Sequence, residues 1–241
     1  MSSSSQTAVW LLGRGCSDAC GLKWTVPSWY KILPRQRQIA CIKRSIVREM
    51  SKIPPGTGPY KELLELLAKR TCIEWNHQFV TTNWDYLFQR EIGNLQLEVK
   101  PKWLLGSGVL HLNGSAEDWG DPSRRSKFLL EADAVCQKTW SLEANKAFNT
   151  IINQKMIVVA GMSFRCPTDG GFLDALKNVS DDFPIGEVKW IVINRNLVEL
   201  ELIKSLLKNK FPHSFVIPVN EGFGEWVTNG CLHLKDQGVI Q

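Results

Sequence analysis

Apolar residues along this chain follow two different periods. Short unbroken apolar runs stand at Ala8–Leu12 (AVWLL), Met156–Ala160 (MIVVA) and Val188–Ile193 (VKWIVI). Runs of that length without strict alternation predict strands buried on both faces of a sheet. Elsewhere the spacing is helical. Gln38–Met50 places Ile39, Ile42, Ile46 and Val47 together, Tyr60–Ala68 places Leu63, Leu64 and Leu67 on one face, and Leu197–Leu207 is amphipathic. Weaker patterns predict strands at Gln78–Thr82, Val99–Leu105, Val109–Leu112 and Ser214–Ile217. They also predict helices at Tyr86–Ile92, Ser141–Asn153, Phe172–Leu176 and Gly224–Leu234. Strands alternating with helices give the fold class: α/β, a Rossmann-like parallel sheet with helices on both faces. Pro27, Pro34, Pro54, Pro55 and Pro59 punctuate a helical insertion at about 25–76, and a charged polar stretch at about 115–137 reads as a second. The 241 residues are expected to form a single domain carrying these two insertions.

Five of the predicted strands run into a polar or glycine-rich segment: Gly13–Ser17, Thr82–Asp85, Asn113–Ser115, Gly161–Ser163 and Asn194. In a parallel sheet all strand C-terminal ends lie on one edge, where ligands bind at the reversal of strand order. Segments far apart in sequence are therefore expected to meet in one crevice. The first of them, Gly13-Arg14-Gly15-Cys16-Ser17 with Gly21-Leu22 after it, suits a phosphate. Its glycines permit a tight turn, and main-chain N–H groups at a helix start favour an anion. Each of these residues is also an ordinary turn or capping residue. Asp85 reads equally as a helix N-cap, and Asn194 as the cap of the helix at 197–207.

Composition narrows the partners. A net charge of +5, scattered without a long basic run, does not call for nucleic acid. Seven cysteines form no Cys-x-x-Cys pair, which argues against a disulfide framework and a zinc ribbon and for a reducing, cytoplasmic setting. No apolar stretch is long enough for a membrane span, and the N-terminal residues lack the basic region of a signal peptide. Of the ten tryptophans, some belong to the core and a few to a cleft or partner surface.

The order and identity of the strand-end segments resemble the sirtuin-like superfamily, and among it the domains of bacterial defence proteins that lack the zinc ribbon. Gly13-Arg14-Gly15-Cys16-Ser17 with Gly21-Leu22 is similar to that family's Gly-Ala-Gly-x-Ser and Gly-Ile/Leu. Thr81-Thr82-Asn83-Trp84-Asp85 is similar to its Thr-Gln-Asn-x-Asp. His111-Leu112-Asn113-Gly114 stands where it has a strand ending in His-Gly, Gly161-Met162-Ser163 where it has Gly-Thr-Ser, and Ile193-Asn194 where it has Ile-Asn. The resemblance implies NAD as cofactor or substrate and no zinc. It implies a binding set of Gly13, Arg14, Gly15, Cys16, Ser17, Gly21, Asn83, Asp85, Gly161, Ser163 and Asn194. Gly13, Gly15 and Ser17 would approach the pyrophosphate, Asn83 and Asp85 the nicotinamide ribose and carboxamide, and Gly161, Ser163 and Asn194 the adenosine side.

Two departures matter. Asn113 stands at the position of the family's catalytic histidine, and an amide takes no proton at neutral pH. His111, two residues earlier on the same strand face, is the available substitute. Arg14 stands where the family has a small residue, and its guanidinium would either crowd the pyrophosphate or bind it. Two readings follow from the resemblance. In the first the chain hydrolyses NAD at the nicotinamide–ribose bond in a defence-type context, with Asn83, Asp85, His111 and Asn113 as the catalytic set. In the second it is a catalytically degenerate NAD- or ADP-ribose-binding or scaffold subunit. The resemblance implies a homo-oligomer or a partner defence subunit, above all for the first. Protein deacylation is not expected without the ribbon. The placement of His111 relative to the cleft beside Asn83 separates the two.

Overall fold

The structure, a computed structural model, describes residues 5–98, 101–116, 130, 151, 154–165, 167–182 and 188–241. Its strands are β1 (Gln6–Leu12), β2 (Trp75–Thr81), β3 (Leu104–His111), β4 (Met156–Ala160), β5 (Lys189–Ile193) and β6 (Phe215–Val219). They form one sheet in the order β3-β2-β1-β4-β5-β6, and every neighbouring pair is parallel. The first half of the chain steps outward from β1 in one direction and the second half in the other. The reversal of order therefore falls between β1 and β4.

That layout dictates which helix covers which face. Right-handed crossovers taken in opposite directions put their helices on opposite sides of the sheet. On one side lie α1 (Arg14–Ala19), α2 (Arg35–Met50), α3 (Pro59–Arg70) and α4 (Leu87–Glu98), with Ile42, Ile46, Leu63, Leu67 and Ile92 buried against Ala8, Trp10 and Leu12 of β1. On the other lie α5 (Pro167–Asp182) and α6 (Leu197–Lys210), with Phe172, Leu176, Ile203 and Leu207 packed with Val9 and Leu11. β1 is thus buried on both faces, which is why its run is continuously apolar. The helical insertion expected at about 25–76 is the crossover from β1 to β2: a 3₁₀ turn (Ser28–Ile32), α2 and α3.

Several elements differ from the sequence reading. The strands predicted at Val99–Leu105 and Val109–Leu112 are one strand, β3. A register shift between His77 and Phe79 of β2 absorbs the irregularity. Gly108 (φ +147°) lies at that place, and Gln89 Oε1 accepts the N–H of Val109 at 2.8 Å, so the ladder resumes instead of ending. The single terminal helix predicted at Gly224–Leu234 is two short ones, α7 (Phe223–Thr228) and α8 (Leu232–Asp236). Gly230 (φ +77°) and Cys231 (φ +52°) are both left-handed and end the first. The helix predicted at Phe172–Leu176 is longer, with Pro167 as its first residue. The predicted helix over 141–153 and the second insertion at 115–137 fall almost wholly outside the described residues.

Candidate functional site

The turn after β1 is fastened to β4. Gly13 N–H donates to the Ala160 carbonyl at 2.8 Å, Gly15 N–H to Gly161 at 3.0 Å, and Cys16 N–H back to Gly13 at 3.0 Å. The approach is close enough to require glycine on both sides. A Cβ on Gly13 would sit 2.4 Å from the Gly161 carbonyl oxygen, and one on Gly161 (φ +64°) would sit 2.4 Å from Cys16 N. The Cys16 side chain points into the core, where burial pushes its thiol pKa well up. Gly21 (φ +87°) sits in the turn after α1, its N–H on the Asp18 carbonyl at 3.0 Å.

Ser17, one turn into α1 and 1% exposed, joins the first two polar segments. Its hydroxyl donates to Asp85 Oδ1 at 3.1 Å and accepts the side-chain amide N–H of Asn83 at 3.0 Å. It also lies 3.1 Å from the Tyr60 hydroxyl of α3. The single hydroxyl hydrogen is on Asp85, so Tyr60 is the donor in that contact, and Ser17 Oγ has one hydrogen and two lone pairs all engaged. Thr81 holds the approach to Asn83. Its hydroxyl donates to the Leu12 carbonyl at 2.7 Å and accepts the Asn83 N–H at 3.0 Å. Asp85 Oδ1 also accepts Leu87 N–H at 3.2 Å, so Asp85 caps the start of α4 as well as meeting Ser17. Burial raises the Asp85 carboxyl to about 6, against the opposing pull of those two hydrogen bonds.

The loop that carries Asn83 is clasped from the other side by the end of β3. Four consecutive carbonyls find donors there: Thr81 from Leu112 N–H (2.9 Å), Thr82 from the Asn113 side-chain amide (2.8 Å), Asn83 from His111 Nδ1 (3.3 Å) and Trp84 from Ala116 N–H (2.7 Å). A carbonyl only accepts, so Nδ2 of Asn113 and a protonated Nδ1 of His111 face the loop. Asn113 is buried, and its Oδ1 has no partner among the described residues.

Beside this loop a cleft of about 370 Å³ opens, lined by Arg14, Lys31, Asn83, Trp84, Asp85 and Trp24, with Thr25, Val26, Tyr30 and Ile42 completing it. The Arg14 guanidinium lies 4.8 Å over the Trp24 ring, and Nη2 donates to the Trp24 carbonyl at 3.2 Å. Trp24 and Trp84 pack at 5.7 Å between ring centroids. Of the sequence-predicted residues, the cleft brings together Arg14, Asn83 and Asp85. His111 stands next to Asn83 but is not in the lining. Gly161, Ser163 and Asn194 lie at the C-terminal ends of β4 and β5 along the same sheet edge and do not line it either. Ser163 Oγ accepts Arg165 N–H at 3.4 Å, and Asn194 Oδ1 accepts Asn196 N–H at 2.9 Å. The cap of α6 is Asn196, whose Oδ1 accepts from Val198 and Glu199, and not Asn194. Trp24, Trp84, Lys31 and Tyr60 are the residues sequence reasoning did not single out. For Trp84 the signal was its place inside the Thr-Thr-Asn-Trp-Asp segment.

Among the described residues no group of three or more His, Cys, Asp or Glu is placed to hold a metal ion, and no helix is long and apolar enough to cross a membrane.

No protein-family model matches the chain, and no curated protein matches it. Among solved structures the chain is similar to one reported under "Structural Basis for the Mechanism and Regulation of Sir2 Enzymes", at 14% identity over 97% of this chain and 95% of that one, TM-score 0.45. It is similar also to Sir2Af2 bound to a myristoylated histone peptide, at 14% identity over 98% of this chain and 94% of that one, TM-score 0.48.

Proposed function

We propose that the chain is a sirtuin-like domain that binds NAD or ADP-ribose in the cleft walled by Asn83 and Asp85. One observation carries this reading. Ser17, Asn83 and Asp85, from two strand ends 66 and 68 residues apart in sequence, form one buried hydrogen-bonded cluster, and Asn83 and Asp85 of that cluster line the cleft. The donor set suits the ligand: an amide and a carboxyl recognise ribose hydroxyls or a carboxamide, and the Trp84 indole lines the same cleft. Isothermal calorimetry of the full chain with NAD and with ADP-ribose tests it. Saturable binding that Asn83→Ala weakens supports the reading, and absence of binding to the folded protein refutes it.

A second reading, NAD hydrolysis, is favoured by Asp85. A buried carboxyl whose pKa stands at about 6 is poised to hold or release a proton near neutral pH. The nicotinamide–ribose bond would break with its electron pair leaving on the ring nitrogen. Water would add to the resulting ribosyl cation, and its proton would leave to the carboxylate. The defence-type role and the partner subunit implied by the sequence resemblance belong to this reading. His111 favours binding over turnover, because its Nδ1 is committed to the Asn83 carbonyl and the residue does not line the cleft. Chromatographic release of nicotinamide over hours, from the sample used for calorimetry, separates the two.

A further inference from the structure

The glycine turn has little left to offer an anion. The N–H groups of Gly13, Gly15 and Cys16 donate to protein carbonyls, and the Ser17 hydroxyl is saturated by Asp85, Asn83 and Tyr60. A ligand carrying phosphates must therefore find its donors elsewhere. Two cationic side chains line the described cleft, Arg14 from the turn itself and Lys31 from the 3₁₀ turn. Arg14 is held ready: Nη2 rests on the Trp24 carbonyl, the guanidinium plane covers the Trp24 ring, and Nε stands 3.7 Å from Asp18. Its side chain is still 56% exposed, and a guanidinium has five N–H donors, so those contacts leave donors for a second acceptor.

We infer that Arg14, with Lys31 of the same lining, is the phosphate-recognition element of this site, and that the cleft selects phosphorylated nucleotides over the corresponding nucleosides. The inference rests on the proposed NAD or ADP-ribose binding and assigns the anion specificity within it. The substitution of a small residue by arginine in the turn then has a function. Main-chain donors lost to β4 are replaced by a side-chain fork suited to phosphate oxygens. The cations lie toward the rim, while the carboxyl of Asp85 and the amide of Asn83 lie at the buried wall, so the charge runs from positive outside to polar inside.

The experiment is calorimetry of the full chain and of Arg14→Ala with three probes, NAD, ADP-ribose and the phosphate-free nicotinamide riboside, at low and high salt. The wild type is expected to prefer NAD and ADP-ribose over the riboside, with binding that weakens as salt rises. Arg14→Ala is expected to lose about tenfold or more in affinity for the two diphosphates and most of the salt dependence, with riboside affinity unchanged. Arg14→Lys is expected to recover part of the loss, and equal melting temperatures would show that the variants are folded. Unchanged or tighter binding of NAD by Arg14→Ala overturns the inference and leaves the binding site itself standing. An equal loss for the riboside overturns it as well, since Arg14 would then act through Trp24. If the wild type binds none of the probes, the proposed function falls and this inference with it.

Discussion

The side-chain amide of Asn113 donates to the main-chain carbonyl of Thr82 at 2.8 Å. This contact gives the residue a job that a histidine-for-asparagine comparison does not show. Asn113 is one of four donors at the end of β3 that fix the Asn83 loop. Asn113→Asp replaces that donor with an acceptor, leaving two oxygens facing each other in a buried place. It is expected to lower stability by about 1–3 kcal/mol at pH 7, measured by urea unfolding. The deficit should shrink at low pH, because a protonated carboxyl regains a donor. A deficit independent of pH would mean that the Thr82 contact is not its cause.

Asp85 is expected to weaken the fold at neutral pH. Burial raises its carboxyl from 3.8 to about 6. Below the ordinary value the group is neutral in both states and exerts no effect. As pH rises through about 6 the folded state must hold a buried charge, and stability is lost, by about 3 kcal/mol in total. Asp85→Asn keeps an oxygen for Ser17 and Leu87 without the charge. It should be more stable than wild type at pH 7 by up to that amount and no more stable at pH 4. A residue that weakens the fold where it lines a cleft is what a functional carboxyl looks like.

His77 works in the opposite sense. Its Nδ1 accepts the Trp10 indole N–H at 2.9 Å, Nε2 faces the Thr71 hydroxyl at 3.1 Å, and burial lowers its pKa from 6.5 to about 3. Its contribution is complete above about 6.5 and is lost as pH falls toward 3, because the unfolded chain takes up a proton that the folded one refuses. Between about 4 and 6 the slopes of His77 and Asp85 oppose each other. Their joint contribution is expected to be flat there in wild type. In Asp85→Asn stability should fall by about 1.4 kcal/mol per pH unit as that range is acidified. Unfolding curves at half-unit intervals would show it.

The close approach of the turn to β4 can be separated from simple backbone preference by two glycine substitutions. Gly21 (φ +87°) has open space where a Cβ would go, whereas at Gly161 (φ +64°) that atom would lie 2.4 Å from Cys16 N and 2.9 Å from Gly15 C. Gly21→Ala is expected to cost about 1–2 kcal/mol, the left-handed term alone. Gly161→Ala should cost clearly more, because the two nearest atoms it meets are backbone and the third is the buried Cys16 Sγ at 3.0 Å. Equal losses would mean that the turn can shift away from β4.

Much of this arrangement was legible in the residues. The buried runs gave the parallel sheet. The Asn83 and Asp85 segment, placed at a strand end, gave part of the cleft wall. What could not be read were relations set by register and by helix placement. That Gly13 and Gly15 donate to Ala160 and Gly161 depends on β1 pairing with β4 as Leu12 beside Ala160. That Tyr60 reaches Ser17 depends on how α3 crosses the first face, and an aromatic at a helix start carries no mark of it. Asn196 and Asn194 are two residues apart, of one type, before one helix, and only the backbone decides which of them caps it. Glycine at 106 and 108 looks like a strand end, and it takes the Gln89 side chain across the ladder to make it a bulge.

The fold has a division of labour that follows from the chain leaving β1 in two directions. Among the described residues, those lining the cleft all lie between Arg14 and Asp85, in the first half of the sequence, whereas β4 to β6 complete the sheet that this half leans on. Changes within that one stretch therefore reshape the described cleft. The second half still reaches that stretch at defined points: Gly161 meets the glycine turn, and Phe223 packs on Tyr60, whose hydroxyl holds Ser17, so a cleft moved to another sheet would have to carry those contacts with it.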